Sequence, residues 1–173
     1  YSVAEPDQAD WSAKRVANYT QYRRQQGAVP RAILSIPSLN IQAAVFPDTL
    51  HGSLEAGFLS FSDGGPGSAG NVAIAGHRDS FFRKLEVIQI GMNIYLKTQD
   101  YQSIYKVVSV SIVDALDTRP LEPTLADVLT LITCHPFYYQ GYAPDRYIVS
   151  ARLMNNIDSQ VEPAHPLGAG NDN

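Results

Sequence analysis

Val128-Leu129-Thr130-Leu131-Ile132-Thr133-Cys134 runs straight into His135-Pro136, and the reading of this stretch decides the fold. Alternating β-branched and apolar residues closed off by a proline predict a short buried strand. The only cysteine of the chain stands at its end. A thiol at a strand end, just before a break, can face a cleft. A second apolar run, Asn71-Val72-Ala73-Ile74-Ala75-Gly76, ends in His77-Arg78. A third, Tyr147-Ile148-Val149, is opened by Asp145-Arg146. Cysteine, histidine and arginine at the ends of three separate strands form a constellation suited to thiol-based acyl transfer.

The totals set the outer limits. A chain of 173 residues, 45% hydrophobic and 17% charged, is long enough for one domain with its own core. A net charge of −4 without any basic block gives a nucleic-acid partner no support. One cysteine excludes an intrachain disulfide and any cysteine-rich metal site. No run approaches the roughly 20 apolar residues of a spanning helix, and no secretory signal is seen. The first residue is Tyr1 rather than methionine, which reads as a processed or truncated product. A missing anchor is then uninformative about the full-length protein.

Three regions follow from the grammar of the chain. Residues 1–30 form a helical extension. Asp10 to Gln26 lacks proline and glycine, carries Trp11, Val16, Tyr19 and Tyr22 as an apolar stripe, and is ended by Gly27 and Pro30. It packs outside the domain, or else serves as a lid or linker. Residues 31–154 are written in strands: Ala32 to Ile36 before Pro37, Ile41 to Phe46 before Pro47, Met92 to Lys97, Ser103 to Val113, and a last strand through Leu153. Asp63 to Gly70 is rich in glycine and reads as a loop, and Asp79 is placed to cap a short helix through Phe82 and Leu85. Residues 155–173, with Pro163, Pro166, Gly168 and Gly170, read as a disordered tail. Many short strands with brief helices make the fold all-β, a closed antiparallel barrel.

With these residues in view, the chain resembles the sortases, class D and its relatives in particular. Thr130-Leu131-Ile132-Thr133-Cys134 matches the TLxTC signature, with Cys134 as nucleophile. Ala75-Gly76-His77-Arg78 matches the segment of the family histidine, and Arg146, twelve positions past the cysteine, its arginine. Gly70 to Phe82 and Ala143-Pro144-Asp145-Arg146-Tyr147 extend the likeness, which covers about 31–153. The resemblance implies an eight-stranded β-barrel and a cysteine transpeptidase. Such enzymes cleave an LPXTG-like C-terminal sorting signal between threonine and glycine. They join the threonine carbonyl to an amine of the cell envelope or of a pilin. It also implies an extracytoplasmic enzyme held at the bacterial plasma membrane, with a membrane anchor expected in a missing N-terminal segment. One departure is His135, where related sequences often have tyrosine; it adds a second imidazole next to the nucleophile.

The residue types fit that chemistry. Cysteine is both a strong nucleophile and a good leaving group from a thioester. With reference pKa values near 8.5 and 6.5, about 3% of thiol is thiolate and about a quarter of imidazole is charged at pH 7. Independent titration would put both together in roughly 0.7% of molecules, so either the site lowers the thiol pKa or a small active fraction suffices. The expected roles are nucleophile for Cys134, general acid and then base for His77, and oxyanion or substrate-backbone donor for Arg146. Thr133 and His135 are weaker candidates on the substrate side of the pocket. Singly, each residue has a plainer reading: an inert buried thiol, a turn histidine, a surface arginine. Arg78 reads as a salt-bridge or loop-fixing residue, and His51 and His165 as structural or exposed. Asp63, alone among glycines, is too few carboxylates for calcium, so no metal or other cofactor is expected. Two other functions fit less well. An L,D-transpeptidase would place Ser-His-Gly before its cysteine, and a non-catalytic peptide-binding barrel would have no need of the three groups together.

Overall fold

The runs between breakers fold as strands because each can bury one face against the next. A computed structural model of the chain describes residues 5–6, 8–9, 11–24, 30–47, 59–63, 70–138 and 141–158. Among them are one α-helix, α1 (Ala13–Arg24), and eight strands. The strands are β1 (Ala32–Ile36), β2 (Ile41–Phe46), β3 (Leu59–Asp63), β4 (Asn71–Ala75), β5 (Asn93–Lys97), β6 (Tyr101–Asp114), β7 (Val128–His135) and β8 (Asp145–Asp158). They close in the order β1-β2-β3-β4-β7-β8-β6-β5, with β5 returning to β1.

The barrel is mixed where the sequence led us to expect antiparallel pairing throughout. β3 runs parallel to β2, and β7 runs parallel to β4. Strand composition does not encode which non-local neighbour a strand will take, so the direction of these two pairs was not legible. β3 itself, Leu59–Asp63, was also not anticipated; its last residue belongs to what reads in sequence as the start of a loop. Positions 64–69 of that loop lie outside the described residues.

Strand parity separates core from surface. On β7, Leu129 and Leu131 are fully buried, and so are Ile74 on β4 and Val149 on β8. Their partners across the ladders lie on the same side: Ile74 with Leu131, and Leu131 with Val149. The intervening residues of β7, Thr130, Ile132 and Cys134, take the outer side. On β6 burial alternates through Ser103, Tyr105 and Val107, which are buried. A bulge between Val107 and Ser109 then shifts the pairing with β8, and the parity changes. Val110 packs against the core as a result, while Val108 stays exposed.

Two boundaries moved. β8 continues to Asp158, so residues 155–158, assigned in sequence to the tail, are strand. They pair with the start of β6, Tyr101 opposite Asp158, and Ser103 Oγ lies 2.7 Å from Asn156 Oδ1. Residues 159–173 lie outside the described residues, as do His51 and His165. The 3₁₀ helix Phe81–Val87 is capped by Ser80, whose hydroxyl accepts from the Phe81 N–H at 2.6 Å, rather than by Asp79. Helix α1 lies on the outer surface of β1 and β2. Trp11, Val16 and Tyr19 pack there with Ile33, Ala44 and Phe46; the Tyr22 side chain lies outside the described residues.

Candidate active site

Three neighbouring strands, β4, β7 and β8, bring the expected groups to one end of the barrel. In the antiparallel ladder of β7 and β8, Cys134 stands directly opposite Arg146. Directly opposed residues share a face, with Cβ atoms about 4.5–5.5 Å apart. The thiol and the base of the guanidinium arm are therefore adjacent on the outer side, and both residues are part-exposed. On the other flank, the parallel ladder pairs Ala75 with Ile132, and the Gly76 N–H donates to the Ile132 carbonyl at 3.1 Å. His77 follows two residues past the end of β4, next to Gly76, on the flank of Cys134 away from Arg146.

Gly76 makes this arrangement possible. Its position faces the core, and a Cβ there would lie 2.6 Å from both Leu59 Cδ2 and Phe82 Cδ2. The strand carrying the histidine can approach only because that side chain is missing. The other end of the same strand is fixed by polar contacts. Thr130 Oγ1 donates to Asn71 Oδ1 at 2.7 Å, and Asn71 Nδ2 donates to the carbonyls of Pro120 and Glu122 at 2.8 and 3.2 Å. Gly70, at φ +91°, turns so closely past Thr124 that a Cβ would come within 2.5 Å of its carbonyl oxygen. The connector from β6 to β7 is thereby held against the β4–β7 pair.

Arg146 is oriented through one nitrogen. Its Nη1 donates to the Ala143 carbonyl at 3.2 Å and to the Asp145 carbonyl at 3.0 Å. The fork is so held from the loop side. Arg78 fixes the same loop: its Nη2 donates to the Gly141 carbonyl at 3.1 Å, the loop-fixing contact expected of it.

Thr133 and His135 alternate away from Cys134. Thr133 is 3% exposed, opposite Tyr147, and its Oγ1 is buried with no hydrogen-bond partner among the described residues. His135 stands opposite Asp145, with Nδ1 3.8 Å from Asp145 Oδ2, an ion pair only when the imidazole is protonated. Its ring stacks on Tyr147 at 6.1 Å and meets Phe137 edge-on at 6.0 Å. Burial, with the Glu86 charge adding, pushes the Tyr147 phenol above its usual value.

One cluster beside His77 had no signal in the sequence. Asp79 receives two hydrogen bonds from Arg15 Nη1, at 2.6 and 2.7 Å, and its backbone carbonyl accepts from the Trp11 indole at 2.8 Å. Burial alone would raise the Asp79 carboxyl. The hydrogen bonds and charge of Arg15, with His77 adding, outweigh it and hold the carboxyl below its ordinary value. Trp11 and Asp79 are 68 positions apart, beyond any local pattern.

A closed barrel that presents a thiol opposite a guanidinium at paired strand ends is the architecture of a cysteine-dependent acyl-transfer enzyme. The family model described as Sortase domain matches residues 34–154. Sortase D of Bacillus subtilis (strain 168) is 32% identical over 147 residues, covering 83% of this chain and 73% of that protein. Among solved structures, Listeria monocytogenes sortase A superposes with a TM-score of 0.66 at 24% identity, covering 75% of this chain and 90% of that one. The Clostridium perfringens sortase D5 transpeptidase superposes at 0.64 and 22% identity, covering 86% and 92%. The chain belongs to the sortase family and is a cysteine transpeptidase. Members of this family act on sorting-signal-bearing proteins and cell-wall amine acceptors, and are extracellular or membrane-associated. Among the described residues no helix is long and apolar enough to cross a membrane.

Proposed function

We propose that this transpeptidase cleaves an LPXTG-like C-terminal signal after threonine and transfers the acyl group to an amine of the cell envelope or of a pilin subunit, at the outer face of the bacterial plasma membrane. The observation that carries the reading is the registered pair Cys134–Arg146, with His77 two residues past the end of β4 on the other flank of β7. The Cys134 thiolate attacks the threonine carbonyl, and the carbonyl electron pair moves onto oxygen. Arg146 donates to that oxygen, or to the neighbouring peptide backbone, with a charge that does not titrate and a fork already aimed. The tetrahedral species collapses as His77 gives a proton to the leaving glycine amine, which leaves the thioester on Cys134. The neutral His77 then takes a proton from the incoming amine. That amine attacks the thioester, and the thiolate departs.

In this reading Thr133 and His135 act on the peptide indirectly, by fixing the strand end that presents Cys134. The test is a transfer assay with an LPXTG-containing peptide and a glycine-based amine, followed by chromatography with mass detection. The expected product joins the peptide, through its threonine carbonyl, to the added amine. Product from Cys134→Ala at the wild-type rate, or none from the folded wild type with any sorting-signal peptide, overturns the reading.

A further inference from the structure

We propose that Arg15 and Asp79, locked in place by Trp11, are positioning residues for the reaction: the N-terminal segment holds the turn that carries His77 and so forms part of the active site. The inference rests on His77 acting as the acid and base. The turn itself is small. The Ser80 N–H closes it onto the His77 carbonyl at 3.3 Å, and Ser80 then starts the 3₁₀ helix Phe81–Val87. Asp79 lies inside it, two residues from the imidazole. The N-terminal segment takes hold of Asp79 at two points, its carboxylate by Arg15 and its main-chain carbonyl by Trp11. Two points fix direction as well as position.

The clamp is also rigid on its own side. The Arg15 guanidinium lies 4.1 Å from the Trp11 ring centroid, and Trp11 meets Tyr19 edge-on at 5.5 Å. Trp11 and Tyr19 are anchored in the apolar cluster on β1 and β2. Arg15 reaches Asp79 at a cost: among the described residues its Nε and Nη2 are buried with no hydrogen-bond partner. Stranded donors cost stability, so the bridge is not what a surface optimised for stability alone would build.

The charges around the imidazole give the clamp a readable signature. Among the described residues, Asp79 on the same turn couples to the imidazole, and Arg15 reaches Asp79 from the N-terminal segment; Arg78 adjoins His77 in sequence, and Cys134 on β7 and Arg146 on β8 are the other ionisable groups of the proposed site. Asp79 favours the imidazolium, and Arg15 masks Asp79. Removing Arg15 therefore raises the His77 pKa, whereas removing the Asp79 charge lowers it. These shifts report that the pair reaches His77; the split between kcat and KM and the partial rescue by Arg15→Lys separate a positioning role from a merely structural bridge.

The experiment compares wild type, Arg15→Ala, Arg15→Lys and Asp79→Asn, with Lys14→Ala on the exposed side of the same helix as control. Turnover of an LPXTG-containing peptide is measured across pH, together with the rate of Cys134 alkylation by iodoacetamide across pH. Thermal unfolding reports on folding. We expect kcat for Arg15→Ala to fall on the order of tenfold with little change in KM, as misplacement of a catalytic group does. Arg15→Lys recovers part of the loss, and Lys14→Ala matches wild type. The histidine limb of both pH profiles moves up in Arg15→Ala and down in Asp79→Asn. A kcat within about twofold of wild type in both folded variants, or limbs that stay put or move together, overturns the clamp. Failure of the wild type itself to turn over the peptide overturns the proposed reaction instead; the alkylation profiles still read the clamp.

Discussion

At Arg146 the question is whether charge or shape matters. The guanidinium is held through Nη1 by two loop carbonyls, which aims the rest of the fork. Arg146→Lys keeps the charge and loses the fork. Turnover is expected to fall by a factor of about 10² or more while the unfolding temperature stays near wild type, measured by peptide cleavage and circular dichroism. Near-normal kcat would remove Arg146 from its role. Gly76 raises a different question, since its missing side chain is filled by Leu59 and Phe82. Gly76→Ala forces those two apart, and overpacking of this kind costs about 1–3 kcal/mol. The expected outcome is a lower denaturation midpoint together with lost activity, because the residue that shifts is the neighbour of His77. The three candidate residues could be singled out at this scale because each sits at one end of an apolar run. Arg15 and Asp79 were not, since neither belongs to a run and they meet 64 positions apart.

Among the elements, the β4–β7 pair has the most at stake, because His77 follows two residues after β4 and Cys134 stands near the end of β7. Thr130 is buried on the outer side of β7 and braces Asn71 at the start of β4. Thr130→Val removes the donor while keeping the shape, so the Asn71 carbonyl oxygen loses its partner. A loss of about 1–3 kcal/mol in chemical denaturation is expected. A midpoint equal to wild type would show that the brace is not needed. The elements that could be read in sequence were the ones with breakers at both ends; β1 and β2 keep the bounds their prolines imply. The end of β8 could not be read, because asparagine is a poor strand former. Asn155 and Asn156 are strand because the long β6 offers them partners, a condition set by tertiary pairing. The parallel direction of β7 against β4 is of the same kind.

For the molecule as a whole, the barrel closes through β1 and β5, and α1 covers the outside of β1 and β2. The docking of that N-terminal region carries a pH dependence with a definite sign. The Asp79 carboxyl is depressed in the folded protein, so its contribution is fully present above the ordinary aspartate value near 3.9 and is lost as pH falls through the lower folded value. Tryptophan fluorescence reports this directly, because Trp11 is the only tryptophan. Its signal is expected to hold steady from neutral pH down to about 4 and to change below it. A transition centred near pH 6 would instead assign the docking to a histidine. All of these expectations depend on the thiol at the end of β7 taking the acyl group. The direct measurement is peptide mapping by mass spectrometry after brief exposure to an LPXTG-containing peptide at low amine concentration. The account predicts an acyl adduct, cut after threonine, on the peptide that contains Cys134. Cleavage of the substrate with the label on another residue, or with no covalent species at any time point, would contradict it.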